Sequence, residues 1–296
     1  MVRNQAHALP EWLDFHVLQG VDLFVFYDNN STDDTRAVLG AYGPLVRTVA
    51  WAAPPACAAG RLSECQELAF NDCVDSVRDR TQWVGVFDVD EFLFSTAGRL
   101  VDALDPRATG YEFTGYQFGT NGFATAADHG QRLVLENYLY RAPESGDPAS
   151  PTPGVRKTVF NPDKVSHVEI HTFTRKWWAP QLVCVYAEDG GPLRLHHYPH
   201  KSREDWAAKK GVWTPHTAAV TAEDDEWDRR ASSVYDNTTF AFVERVKQAM
   251  QTRVDAWGVA RREAMAALRV LAPGGERAAG RERRARDGML APIGET

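Results

Sequence analysis

Two short apolar runs, each cut off by acidic residues, constrain this chain more than any other feature. Residues 21–27 (VDLFVFY) end in Asp28-Asn29-Asn30-Ser31, and residues 83–87 (WVGVF) end in Asp88-Val89-Asp90-Glu91. Short, β-rich apolar runs bounded in this way read as buried strands. Helical patterns surround them. Residues 10–19 (PEWLDFHVLQ) predict a helix, with Pro10 in its first turn and Gly20 just past its end. Ser31 can cap a second helix over residues 32–41. Val46 to Trp51 is a further strand candidate, and residues 62–79 predict another helix. Strand–helix–strand order with short connections predicts an α/β fold whose sheet is largely parallel. Ligands of such sheets bind outside the carboxyl ends of the strands. Asp28 and the Asp88–Asp90 pair both fall at such ends. Only Met1-Val2-Arg3 precede Asn4, so any strand ahead of the first helix is expected to be a stub.

The chain has 296 residues, 44% hydrophobic and 25% charged, which suits one large domain or a domain with a small appendage. Its formal charge of −7 argues against a nucleic-acid binder, which normally carries a basic face. It leaves room for a local cationic pocket. Cys57, Cys65, Cys73 and Cys184 form no CxxC pair, so buried free thiols in a reducing compartment are the expectation. No basic-then-apolar leader opens the chain, and no apolar run approaches the ~20 residues of a membrane helix. The resulting expectation is a cytoplasmic protein, with peripheral work at the inner membrane surface as its extension.

Residues 111–200 hold shorter β-like runs and many turn signals, and residues 142–154 (APESGDPASPTPG) have the composition of a lid-like loop. Residues 240–271 are helical by pattern. From Pro273 onward little remains to bury. The expected organisation is a catalytic domain over 1–215, a helical extension over 216–272 and a disordered tail over 273–296.

Two aspartates one residue apart, on a turn leaving a buried strand, suit a hard divalent cation, which prefers carboxylate, phosphate and water oxygens. Such a cation can neutralise a departing diphosphate. The competing reading of the pair is a solvated acidic turn with a capping role. A phosphatase of the haloacid-dehalogenase type also carries two aspartates after an apolar strand. Its motif usually continues with Gly-Thr, whereas Glu91-Phe92 follow here, and the later acids Asp224-Asp225 sit in the polar run TAEDDEWDRR.

The stretches EWLDFHVLQGVDLFVFYDNNSTDDT and WVGVFDVDEFLF resemble the family 2-like and family 92 glycosyltransferases of the GT-A fold. The likeness continues through YQFGTNG (116–122), RKTVFNPDKV (156–165) and LHHYPHKSREDWAAKKG (195–211), so it covers roughly residues 4–211. Two departures stand out: Asn4-Gln5 replaces the family's Asn-Glu, and the family's first strand is longer. The resemblance implies a Rossmann-like GT-A domain and an inverting hexosyltransferase that uses a nucleotide-sugar donor, UDP-linked by family habit. The expected acceptor is a glycan or glycolipid, as in polysaccharide biosynthesis. It implies Mn2+ as the cofactor, with Mg2+ as a substitute. By position it implies Asp28 and Asn4 at the nucleotide, Asp88 and Asp90 at the metal, His197 completing the metal site, and Lys201 and Ser202 near the diphosphate.

Bland alternatives stand beside these roles. His196 or His200 can replace His197 as a ligand, or all three can be a plain surface cluster. Lys157, with Arg156, binds phosphate or faces solvent, and Lys201 is open to the same choice. Ser202 fits a helix cap, with Asp205 three residues on. His167 and His171 lie four apart in a β-like segment, where such spacing does not bring ligands together. Trp177-Trp178 stack on a sugar or pack in the core. For the base that takes the acceptor proton, Glu136 leads, with Glu91 and Asp128 of the same type. A degraded relative that only binds glycan or nucleotide is the non-catalytic alternative.

Overall fold

The computed structural model describes residues 1–51, 62–125, 132–143, 156–185, 191–213 and 220–256. Contacts divide the chain into Met1–Met250 and Gln251–Thr296. The described part of the second unit, residues 251–256, is helical, and every other element lies in the first unit. The loop expected over 142–154 falls almost wholly outside the described residues, as do Asp128 and the expected tail.

The fold is mixed α/β. Helix α1 (Leu9–Leu18) leads to strand β1 (Phe24–Asp28), and helix α2 (Thr35–Gly40) connects it to β2 (Val46–Ala50). β1 and β2 pair in parallel. Ser31 does not cap α2: Asp34 holds the cap position, and the Ser31 hydroxyl accepts the backbone N–H of Asn4. After helix α3 (Leu62–Val77), strand β3 (Val84–Val86) joins a four-stranded sheet. The order there is β11 (Val183–Val185), β5 (Gly110–Thr114), β8 (Arg156–Phe160), β3. A further sheet has the order β4 (Glu91–Ser95), β12 (Leu193–His197), β6 (Tyr116–Gln117).

The expectation of a largely parallel sheet is therefore corrected. β3 pairs antiparallel with β8, and β4 antiparallel with β12. Both partners come from the middle and later chain, where the sequence reveals strands but not what they pair with. Cys65 is disulfide-bonded, with Cys73 and Cys184 free, so four free thiols are not what the structure contains.

Strand β4 is buried on both faces, as its unbroken apolar run Phe92-Leu93-Phe94 requires. Phe92 and Phe94 enter one core with Phe15, Phe118, Tyr198 and Val246, while Leu93 enters another with Leu195, Tyr111 and Val159. Phe15 meets Phe92 edge-on at 5.1 Å between ring centroids.

β4 ends its sheet, so the outer edge of its backbone needs partners from elsewhere. Helix α1 supplies them. Trp12, His16 and Gln19 recur at helical spacing and so share one face. Trp12 Nε1 donates to the Glu91 carbonyl at 2.7 Å, Leu93 N–H donates to His16 Nε2 at 3.3 Å, and Ser95 N–H donates to Gln19 Oε1 at 3.1 Å. Residues 91, 93 and 95 are the alternate positions whose backbone groups face one edge of a strand. His16 Nδ1 lies 2.8 Å from the Trp12 carbonyl, which places the ring proton there and leaves Nε2 as acceptor. Burial pushes His16 down to about 4, keeping it neutral in this role.

Later residues lock onto the same unit. On α6 (Ala222–Ala231) Asp228 accepts both the N–H and the hydroxyl of Thr120 at 2.6 Å. β13 (Val234–Tyr235) pairs with β7 (Tyr140–Arg141), and Arg141 bonds Asp236 at 2.8 Å. Among the described residues no helix is long and apolar enough to cross a membrane.

The edge-capping role of α1 makes a prediction. Gln19→Leu preserves bulk but strands the buried Ser95 N–H, so stability falls by about 1–3 kcal/mol. Urea denaturation measures this, and an unchanged midpoint would remove Gln19 from the account of how β4 is held.

Candidate functional site

The Asp88–Glu91 segment is a tight turn between β3 and β4. Glu91 N–H donates to the Asp88 carbonyl at 3.1 Å, and Asp88 N–H donates to Glu91 Oε2 at 2.9 Å. The turn is fixed from behind by Trp12 and from the side by Tyr198 N–H, which donates to the Asp90 carbonyl at 2.8 Å.

The β4–β12 register carries His197 to this turn from more than a hundred residues downstream. His197 lies directly opposite Glu91, and His196 opposite Phe92. Directly opposite residues point to the same face of a sheet. His197 Nε2 thus comes 3.5 Å from Asp90 Oδ1 and 3.9 Å from Glu91 Oε1. One ligand atom from each of Asp90, Glu91 and His197 lies within 4.8 Å of the others. Asp90 Oδ1 is buried and makes no hydrogen bond.

These three residues fit a divalent cation. Ligands of one octahedral ion stand about 3 Å apart when adjacent and about 4 Å when opposed, so a small contraction would close the site. Two carboxylate oxygens and an imidazole suit Mn2+ better than Mg2+, which favours oxygen alone. Asp88 sits one step aside: its Oδ2 accepts from Lys157 Nζ at 2.8 Å. Lys157 also reaches Glu91 Oε2 at 3.1 Å and is only 2% exposed, so its ammonium is spent beneath the turn. Lys209 Nζ, on helix α5 (Arg203–Trp213), bonds Asp90 Oδ2 at 2.8 Å.

The electrostatics follow from this crowding. Burial, with Asp88 adding to it, pushes the Glu91 carboxyl up to about 7 despite Lys157. Burial also opposes ionisation of Asp90, but Lys209 and His197 outweigh it and hold Asp90 well below the carboxylate range. For Asp88 the same contest is decided by Lys157, again downward. Burial would lower Lys157, yet Glu91 and Asp88 keep it above its ordinary value.

The other two histidines face elsewhere. His196, one residue along the strand, points to the opposite side, against Phe94 and Phe118 at 4.9 and 4.8 Å. His200 stacks on Trp206 at 4.1 Å, and burial pushes it down to about 3.

Asn4 and Asp28 form a separate hydrogen-bonded cluster. Asp28 is buried at the end of β1, where it accepts Ser31 N–H at 3.1 Å and Arg36 Nε at 2.5 Å. Asn4, at a positive φ of 53°, accepts Thr32 N–H at 2.8 Å. Ser202 caps α5: its hydroxyl donates to Asp205 Oδ2 at 2.7 Å and accepts Asp205 N–H at 3.0 Å. The Lys201 carbonyl accepts from the Tyr138 hydroxyl, and its side chain lies within electrostatic reach of Glu11. Glu136 is committed to Leu133 N–H at 3.0 Å and to Lys247 at 2.6 Å. Trp177 is 91% exposed, so it does not pack in the core. His171 Nδ1 lies 3.0 Å from the Arg156 carbonyl, and His167 and His171 form no metal cluster among the described residues.

Sequence reasoning missed Lys209. Its signal was faint: Trp206 is a buried residue of α5, and Lys209 is three positions on, along the same helix face.

The mixed α/β scaffold thus seats an Asp–Glu–His cluster at the mouth of a strand. The profile of glycosyltransferase family 92 matches residues 1–223. A rice protein of that family (Oryza sativa subsp. japonica) is 29% identical over 274 residues, covering 83% of this chain and 43% of its own. One from Ricinus communis is 28% identical over 160 residues, 52% of this chain and 24% of its own. One from Arabidopsis thaliana is 25% identical over 229 residues, 71% of this chain and 36% of its own. The chain belongs to glycosyltransferase family 92. It spans less than half the length of these relatives.

One buried acid beside the site gives a pH prediction. Glu11 accepts Val134 and Leu135 N–H at 2.9 and 3.0 Å, yet burial pushes it up to about 7 against those bonds. Between pH 4.5 and 7 the folded chain keeps a proton that the unfolded chain releases, so this residue's contribution to stability falls as pH rises. Glu11→Gln removes that slope. Urea denaturation in chelator should show the stability of the wild type, relative to the variant, declining by roughly 2–3 kcal/mol across the window. Parallel curves would mean that Glu11 titrates normally.

Proposed function

We propose that this family 92 glycosyltransferase is metal-dependent and moves a hexosyl group from a nucleotide-sugar, UDP-linked by preference, to a glycan or glycolipid hydroxyl with inversion. The observation that carries this reading is the convergence of Asp90 Oδ1, Glu91 Oε1 and His197 Nε2, one of them a buried oxygen without a hydrogen bond. A buried, unpaired carboxylate oxygen is costly unless a cation or donor completes it.

In this reading Asp90, Glu91 and His197 would hold Mn2+, whose positive charge would offset that of a departing diphosphate. Lys157 fixes Asp88 and Glu91 in place from below, and Trp12 and Tyr198 keep the turn from relaxing away. Such preorganisation matters because charge develops only as the bond breaks. The acceptor oxygen forms the new bond to the anomeric carbon from the face opposite the diphosphate. Its proton passes to a base, and the old carbon–oxygen bond leaves with the nucleotide. Glu91 would be a ligand of that cation and Glu136 is held by Lys247, so neither is assigned that proton. Asn4 and Asp28, at the end of β1, are proposed at the nucleotide, with Lys201 and Ser202 nearer the diphosphate. Family membership displaces the phosphatase alternative.

Calorimetry with UDP, with and without Mn2+, tests the reading. Binding is expected to require Mn2+ and to weaken at least tenfold in Asp90→Ala. Nucleotide binding indifferent to metal would overturn the metal role, and no binding of UDP, GDP or dTDP would leave a non-catalytic relative. A nucleotide-release screen across UDP-, GDP- and dTDP-sugars then identifies the donor.

A further inference from the structure

Lys209 stands out among the charged groups because it shares a carboxylate with the cation position. Asp90 turns Oδ1 toward His197 and gives Oδ2 to the Lys209 ammonium at 2.8 Å. Lys157, the other lysine here, is enclosed and already holds two acids. The Lys209 side chain is 41% exposed against 2% for Lys157, so it is the more accessible of the two. Its helix is seated by Trp206, which is buried and stacked on His200. The nearby Pro199 carbonyl, 3.4 Å from Nζ, is its other contact.

Charge bookkeeping gives this placement a purpose. Among the side chains of the turn, ionised Asp88, Asp90 and Glu91 carry three negative charges against the two positive charges of Lys157 and Lys209, which leaves one negative charge. A divalent cation turns that into one positive charge. The site then attracts a diphosphate, and the accessible ammonium is the one on Lys209. We propose that Lys209 is a diphosphate-binding residue: with metal on Asp90 Oδ1, its ammonium turns from Oδ2 to the phosphate oxygens of the donor. This inference rests on the metal-dependent reading above and deepens it by naming the group that receives the leaving diphosphate. A lysine serves well here as a mobile point charge.

The test uses full-length protein, with Lys209→Met, Lys209→Gln and Lys209→Arg, all checked for folding by circular dichroism. Affinities for Mn2+ alone are read by electron paramagnetic resonance. Affinities for inorganic pyrophosphate, UDP and uridine are read by calorimetry at saturating Mn2+. The expected result for Lys209→Met is Mn2+ affinity equal to or tighter than wild type, because a competitor for Asp90 has gone. Pyrophosphate and UDP affinity should fall about tenfold or more, uridine binding should not move, and Lys209→Arg should recover most of the loss. Unchanged pyrophosphate and UDP affinity in Lys209→Met, or an equal loss for uridine, overturns the proposal. If that variant is misfolded, Lys209→Gln is read in the same way. Wild type that binds pyrophosphate with Mn2+ but no UDP removes the nucleotide assignment and leaves Lys209 standing. Wild type that binds Mn2+ but no diphosphate overturns both.

Discussion

The alignment of β4 against β12 is the constraint on which the site depends. It sets His197 opposite Glu91, and because side chains alternate along a strand, it sends His196 into the aromatic core at the same time. A shift of one residue would exchange the two. The register is held by burial of both faces of β4 and by three side chains of α1 that satisfy its free edge. The buried polar residues Trp12, His16 and Gln19 are thus part of the site's foundation, although none faces the cation position.

The second organising feature is the balance of charge. Three acids within one turn would repel each other if left without partners. Two lysines from distant segments make the arrangement possible. Lys157 comes from β8 and lies beneath the turn, while Lys209 comes from α5 and is the more accessible. The two are not equivalent. An enclosed ammonium bound to two carboxylates acts as a fixed strut, whereas a half-exposed one can exchange partners.

Much of this was legible in the sequence. The strand ends at Asp28 and Asp88 follow from apolar runs stopped by acids, and α1 and α3 from their spacing. The Ser202 cap was readable because capping is local, and Ser202 with Asp205 makes the expected bonds. Pairing was not readable. Nothing in WVGVF says that it will lie antiparallel to RKTVF, since strand partners are chosen by packing over long separations. For the same reason the sequence left Lys157 open between phosphate and solvent, and could not show that it is the most enclosed lysine of the site. Glu136 was selected as the base by residue type alone, and type does not reveal its capping bond or its contact with Lys247. The choice among His196, His197 and His200 needed the register, which only the folded chain supplies.

The three candidate cation donors differ in how they are mounted. Glu91 and His197 sit on paired strands, whereas Asp90 sits on the turn before β4. Two side chains stand on a wall of paired strands, and the third stands on a turn whose backbone the Tyr198 N–H ties down. Any change in the spacing of the three therefore falls to the Asp90 side chain, and the sheet need not move.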